Sequence, residues 1–139
     1  MQEEEIKRIT LEALLKNFSL FREDQTVSVI KGSQEEEGTP QEITYISYRA
    51  NPHQTPPLPP IFDLNIKGGL CIIADFKINV ESRRNGFGRQ MLGAVKEIAT
   101  NLGCKELDVV PGGEGTLRFY IAMGFRERED NHGYYVLLL

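Results

Sequence analysis

Hydrophobic and polar positions change period along the chain, and these changes predict its first elements. Apolar side chains recur at roughly helical intervals in the first twenty residues and predict an amphipathic helix. These positions are Ile6, Ile9, Ala13, Leu14 and Leu20. Residues 26–31 and 42–49 are rich in Val, Ile, Tyr and Thr, which favours two strands. Residues 32–41 hold Gly, Ser, Pro and three consecutive glutamates, and they predict a solvated loop between the strands.

The rest of the chain alternates strand and helix patterns. Residues 51–60 hold five prolines, which remove amide donors and fix φ, so we expect an extended loop. Residues 61–66 and 70–80 predict two strands joined by a hairpin turn at 67–69. From Gly88 the apolar positions follow a helical stripe that ends near Gly103, a suitable C-cap. Residues 105–110 then predict a strand, 114–123 a short helix, and 125–129 and 134–138 a strand pair around 131–133.

This order of elements predicts the fold class. An early group of strands is followed by strand, helix, strand, helix and a strand pair, which suggests an α/β or α+β domain of three layers around a mixed sheet. A chain of 139 residues suffices for one domain with a substantial core, and we expect residues 1–139 to form it. The apolar residues 135–139 complete the sheet or pack at a homodimer contact.

Composition and charge narrow the classes of function. A net charge of -4 argues against a general nucleic-acid binder, because affinity for a phosphate backbone comes largely from Lys and Arg. The chain starts with acidic residues, lacks the apolar core of a signal peptide and has no apolar run as long as a bilayer span, so we expect a cytoplasmic protein without membrane contact. Cys71 and Cys104 are expected as reduced thiols. No Cys/His cluster has metal-ligand spacing, so we expect no metal.

One junction between a strand and a helix carries the strongest signal for a ligand. Gly86 and Gly88 are spaced by one residue where the helical stripe begins. Such glycines let the backbone turn tightly, so that amide N–H groups point into one concavity beside a helix N-terminus, which favours phosphate or pyrophosphate. A Walker loop is excluded because no stretch has its spacing. A dinucleotide fingerprint is excluded because Met91 stands where its third glycine belongs.

Two motifs resemble those of a known family. Arg83, Gly86 and Gly88 resemble the Gln/Arg-x-x-Gly-x-Gly/Ala signature of the GNAT acetyltransferase superfamily, whose loop cradles the pyrophosphate of acetyl-coenzyme A. Residues 119–125 are similar to the aromatic-Tyr-x-x-x-Gly-Phe segment of that superfamily, at a compatible distance. The resemblance covers about residues 75–125. It implies a GNAT-like three-layer α/β/α domain with a central mixed, mostly antiparallel sheet.

The resemblance also implies a site for acetyl-CoA as cosubstrate. The strand residues whose backbone would pair with the pantetheine arm are Ile78, Asn79 and Val80. The residues that would surround the pyrophosphate are Arg83, Arg84, Asn85, Gly86, Phe87, Gly88 and Arg89. The chain departs from the family pattern at Gly113 and Thr116, where many members have Asn and Ala, so an Asn contact with the pantetheine arm is not assumed.

Acetyl transfer to an amine requires a proton acceptor and a proton donor. A lysine-like amine is mostly charged at neutral pH, and removing its proton costs about 4–5 kcal/mol. Asp108 resembles the catalytic base of ribosomal-protein N-acetyltransferases, with an exposed strand carboxylate as the alternative. The resemblance implies Tyr120 as general acid for the departing thiolate, with a purely packing role as the alternative. Asp75 and Glu81 are weaker candidates for the base, and a main-chain N–H near residues 78–80 would polarise the thioester.

We therefore expect an N-acetyltransferase in which a primary amine, of a small molecule or a protein, directly attacks acetyl-CoA. Two alternatives stay open. One is a non-catalytic module of the same fold that binds coenzyme A as a sensor or regulatory domain, which Gly113 and the uncertain base favour. The other is a nucleotide-binding regulatory domain, which the absent Walker and dinucleotide motifs disfavour. The sequence does not identify the acceptor, and we expect the proline-rich loop at 51–60 to set its specificity.

Overall fold

Seven strands form a single mixed sheet in the computed structural model, which describes residues 1–23, 25–50, 61–77 and 86–139. The helices are α1 (Glu3–Asn17), α2 (Phe87–Asn101) and α3 (Glu114–Ala122). The strands are β1 (Thr26–Glu36), β2 (Thr39–Arg49), β3 (Ile61–Lys67), β4 (Leu70–Lys77), β5 (Glu106–Val109), β6 (Arg126–Arg128) and β7 (Asn131–Leu138). Their order is β1-β2-β3-β4-β5-β7-β6, with β4 and β5 parallel and the other neighbours antiparallel. The predicted α/β class with a mixed, mostly antiparallel sheet is confirmed.

The core lies between the sheet and the packed pair of helices α1 and α2. Alternate side chains of the central strands point to this face and are almost fully buried, as the period of a strand requires. They are Ile46, Tyr48, Phe62, Leu64, Cys71, Ile73, Leu107 and Val109. The predicted stripe of α2 meets them with Met91, Leu92, Val95 and Ile98. None of the helices in the described ranges has both the length and the apolar composition that a bilayer crossing requires.

The predicted loop at residues 32–41 is wrong, because β1 and β2 continue through it as a long hairpin. The ladder runs from Thr26 opposite Arg49 to Glu36 opposite Thr39. The turn is confined to Glu37 and Gly38, whose φ values of 51° and 80° suit a two-residue hairpin turn. The end of the hairpin is exposed on both faces, so its strands lack the apolar alternation from which a strand is predicted. Backbone pairing between β1 and β2 therefore extends the hairpin beyond the predicted strands.

The final hairpin is also displaced from its prediction. The turn falls at residues 129–130 and not at 131–133, since β6 ends at Arg128 and β7 already begins at Asn131. Gly133 lies inside β7 with a φ of 90°. Because β7 pairs with β5 on one side and β6 on the other, the apolar C-terminal residues complete the sheet, which is the first of the two predicted alternatives.

Candidate functional site

A cleft opens where the two parallel strands part. β4 and β5 pair from Leu70 opposite Glu106 to Ile73 opposite Val109, where β5 ends, whereas β4 continues to Lys77. Within the described residues, the last four positions of β4 therefore have no partner strand on the β5 side. A cavity of about 980 Å³ occupies this opening and is walled by the end of β4, the start of α2, and α3 with the glycine-rich turn before it.

A β-bulge in β4 decides which side chains face this cleft. On β3, Leu64 pairs with Ile73 and Asp63 pairs with Asp75, so Ala74 is one extra residue in β4. Without it, Asp75 would share the core face of Ile73, two residues earlier. The extra residue reverses the alternation, because side chains of a strand point to opposite faces in turn. Asp75 thus joins Asp63 on the face away from α1 and α2.

Tyr120 lies at the opening and is 1% exposed. It sits among three aromatic rings, with centroid distances of 5.1 Å to Phe125, 5.3 Å to Phe119 and 6.1 Å to Phe76. Burial raises the pKa of the Tyr120 hydroxyl above its ordinary value, and the negative charge of Asp75 raises it further. The phenol therefore keeps its proton at neutral pH, as a proton donor must.

The N-terminus of α2 forms another wall and holds four of the predicted coenzyme residues. Gly86 is the N-cap, and no acidic side chain occupies the first turn, which leaves the positive end of the helix dipole available to an anion. Gly86, Gly88 and Arg89 line the cleft. Phe87 instead packs its ring against Phe18 at 6.4 Å. The other predicted coenzyme residues, together with Glu81, lie outside the described residues; they are Ile78, Asn79, Val80, Arg83, Arg84 and Asn85.

Gly86 is required by its backbone conformation and not by lack of space. Its φ is 76°, and a Cβ built there meets no atom of the described residues within 4 Å, its chain neighbours aside. We expect Gly86→Ala to lower the free energy of unfolding by about 1–2 kcal/mol, because left-handed backbone is strained for an L-residue. Gly112→Ala is the matched control, since its Cβ also meets open space and its φ lies outside the left-handed range. Urea denaturation measures both, and equal losses would contradict a conformational requirement at Gly86.

Asp108 points away from its neighbours Leu107 and Val109, as the alternation of a strand requires, and it is not among the residues that line the cleft. Its Oδ2 accepts a hydrogen bond of 2.5 Å from Arg128, which also lies 3.7 Å from Glu106. Its Oδ1 is buried without a hydrogen-bond partner among the residues described. Burial and the nearby Glu106 carboxylate outweigh Arg128 and raise the pKa of Asp108 to about 6. Its role as a base stays a prediction.

Two basic side chains on the cleft wall were not predicted. Lys77 ends the described part of β4, and Arg118 precedes Tyr120 by two residues on α3. No motif marks either residue, and only their nearness to the two motifs in the sequence could have indicated them. With Arg89 they make this wall of an acidic protein locally basic.

The fold and the cleft define an α/β protein suited to an extended, anionic ligand between two parting parallel strands. A model of the acetyltransferase (GNAT) family matches residues 13–125, and the chain belongs to this family. The family resemblance of the two motifs is thereby confirmed. Membership makes acetyl transfer the general class of its chemistry.

Solved structures share the fold at low sequence identity. One from Klebsiella pneumoniae, assigned as an acyl-CoA N-acyltransferase, has a TM-score of 0.54 and 14% identity, over 95% of this chain and 88% of that one. An assigned acetyltransferase of Agrobacterium tumefaciens has a TM-score of 0.52 and 14% identity, over 100% of this chain and 94% of that one. The PaiA N-acetyltransferase of Thermoplasma acidophilum, in complex with coenzyme A, has a TM-score of 0.51 and 13% identity, over 68% of this chain and 58% of that one. A search of curated proteins found no match.

Proposed function

We propose that this protein transfers an acetyl group from acetyl-CoA to a primary amine by direct attack, with Tyr120 as the general acid. The observation that carries the proposal is the position of Tyr120, which is buried and protonated at the opening between β4 and β5. The acceptor amine belongs to a small molecule or to a protein. The family match and the coenzyme A complex of the Thermoplasma protein support acetyl-CoA as the donor.

The walls of the cleft fit the parts of acetyl-CoA. The edge of β4 beyond Ile73, which no described strand covers on the β5 side, offers backbone N–H and C=O groups to the amide-containing pantetheine arm, as an added strand would use them. The N-terminus of α2 suits the pyrophosphate, and Arg89 adds charge beside it. At Gly112 and Gly113, in the turn before α3, an added Cβ would meet no atom of the described residues within 4 Å. This turn therefore leaves space for the ligand, although Gly113 stands where many family members have Asn.

Proton transfer from Tyr120 completes departure of the coenzyme. The neutral amine nitrogen forms a bond to the acetyl carbon, the bond between that carbon and sulfur breaks, and the thiolate takes the phenolic proton. The proton that the nitrogen then loses restores the phenol. With reference pKa values of about 10 and 8.5, this transfer is uphill by about 2 kcal/mol in water. Burial raises the pKa of Tyr120 and makes it a weaker acid, so the thiolate must be desolvated to a similar degree. Phe119 and Phe76 supply apolar surface at this point of the cleft.

Asp108 remains the base that the sequence proposes. Its pKa of about 6 is closer to neutrality than that of an ordinary Asp, which suits a general base. Its ion pair with Arg128 and its place off the cleft wall require a water relay to reach an amine in the cleft. Its replacement by Asn tests the role.

Ligand-dependent melting tests the donor site. We expect acetyl-CoA and coenzyme A at a hundred times their Kd to stabilise the fold by about 2.7 kcal/mol and so to raise Tm by several degrees. Pantetheine, which lacks the pyrophosphate, should raise it less. No shift at millimolar acetyl-CoA would contradict both the enzyme and the coenzyme-binding module. A shift without thiol release across an amine panel would favour the module.

A further inference from the structure

Helix α3 is packed far less completely than α2. Of its nine described residues, only Tyr120 is buried, whereas α2 buries six of its fifteen residues. A helix in a protein owes most of its stability to the apolar face that it buries, and an isolated helix shorter than about 12–15 residues is marginal in water. Burial of one side chain therefore does not account for a stable α3.

The sequence of α3 adds little to its stability. Its N-cap is Gly113, which has no side chain to accept the first N–H groups, and the first turn contains Gly115 and Thr116, two residues of low helix propensity. Arg118 lies 3.8 Å from Glu114, but their side chains are 82% and 90% exposed, and such ion pairs contribute little. The N-terminal half of α3 is thus marginal in its sequence as well as in its packing.

The cleft lies where the side chains of a packed helix would meet the sheet. Six residues of α3 line the cavity, and at about 100° per residue they span more than half of the helix circumference. They are Gly115, Thr116, Arg118, Phe119, Tyr120 and Ala122. Leu117 and Ile121 lie on the other side, where Ile121 is 52% exposed. The helix therefore stands between an open cavity and solvent.

The C-terminal end of α3 is its anchored end. The ring of Tyr120 packs against Phe76 and Phe125, and its carbonyl accepts the N–H of Phe125 at 3.0 Å. At the other end, a Cβ added to Gly112 or Gly113 would meet no atom of the described residues within 4 Å, so the turn into α3 is loosely packed. The first turns can thus open while Tyr120 stays in its aromatic cluster.

We propose that α3 is a donor-dependent lid: its N-terminal half is only marginally folded in the free protein, and acetyl-CoA or coenzyme A completes it by filling the cavity that it borders. This inference rests on the proposed function for the identity of the ligand. A ligand between β4 and α3 supplies the surface against which the helix packs, so binding and helix formation stabilise each other. The cost of folding the lid lowers the apparent affinity for the coenzyme.

The experiment compares Leu117→Ala with Leu117→Gly, because both variants lack the same side chain and differ only in the stability of the helical backbone. Leu117 lies in the N-terminal half of α3, is half-buried and does not line the cleft. The glycine variant should bind coenzyme A about fivefold more weakly than the alanine variant, which is the ratio that their helix propensities set when the ligand must fold the lid. Calorimetric titration measures both affinities, and equal values would overturn the lid.

Leu15→Ala and Leu15→Gly form the matched control in α1. Leu15 is 54% exposed and is not among the residues that line the cleft. These two variants should differ in Tm and yet bind coenzyme A equally, because α1 is already folded before the ligand arrives. A fivefold difference in affinity here as well would show that global stability sets the affinity, and the lid would be overturned.

Hydrogen exchange of the wild type gives a second measurement. Without ligand, the backbone amides of residues 117–119 should exchange at least about tenfold faster than those in the middle of α2, and saturating coenzyme A should slow them by a similar factor. Equal protection of both helices without ligand would overturn the lid alone. If millimolar coenzyme A does not bind, the donor site and the lid are both overturned. If it binds and protects α3 while acetyl-CoA releases no thiol with any amine, the lid is supported and the proposed transfer is overturned.

Discussion

Replacing Tyr120 by Phe will lower kcat for acetyl transfer by roughly 10²- to 10³-fold, the range expected when a general acid is removed. The ring stays in its aromatic cluster, so the melting shift with acetyl-CoA should be preserved. The lost step is protonation of the departing thiolate by a hydroxyl that is itself buried. Steady-state thiol release at saturating acetyl-CoA measures the effect, and unchanged kcat would remove the assigned role.

Tyr48→Phe provides the matched control for that experiment. Tyr48 is fully buried, donates a 2.7 Å hydrogen bond to Gln25 and does not line the cleft. Loss of its hydroxyl should cost about 1–2 kcal/mol of stability and leave kcat unchanged. Acetyl-seleno-coenzyme A adds a chemical control, since its selenolate is a far weaker base and leaves without a proton. Tyr120→Phe should lose much less activity with it, and an equal loss would point to positioning.

Strong local patterns were sufficient to predict several parts of the fold. The helical stripe that starts at Gly88 corresponds to α2, and Gly103, with a φ of 81°, ends it as predicted. The α/β class followed from the order of such segments. Tyr120 was predictable as a cleft residue because the motif around it is contiguous in the sequence. In each case the evidence lies within about one element.

The features that the sequence did not predict depend on pairing between distant segments. The bulge at Ala74 exists only in the register of β3 against β4, and no residue type announces it. It nevertheless decides that Asp75, from the sequence only a weaker candidate for the base, faces outward. Asp108 meets Arg128, twenty positions further on, because both flank β7 in the sheet. The polar end of the β1–β2 hairpin is held by backbone hydrogen bonds, so its sequence shows no alternation of apolar residues.

Asp108 should make the protein less stable as pH rises from about 4 to 6. Its pKa is about 6 in the folded chain against 3.8 as the ordinary value, so within this window the folded state holds a proton that the unfolded state has lost. Stability falls with pH where the folded state binds more protons. Above pH 6 both states are ionised, and the full cost of roughly 2–3 kcal/mol persists. Asp108→Asn removes the titration and should stabilise the protein by about that amount at pH 7.5.

The measurement is the difference in unfolding free energy between Asp108→Asn and the wild type, from urea denaturation at pH 4 to 8. The difference should be near zero at pH 4 and grow to its plateau by about pH 7. Asp130 also lies 3.3 Å from Arg128, but its side chain is 79% exposed. Asp130→Asn should therefore change the free energy of unfolding by less than about 1 kcal/mol at every pH. If Asp108→Asn is less stable than the wild type, or if the difference between them does not change with pH, then a buried carboxyl with a raised pKa is contradicted. Thiol release by the same variant separates the two roles of Asp108, because a base requires kcat/KM to fall, whereas a purely structural carboxylate leaves it unchanged.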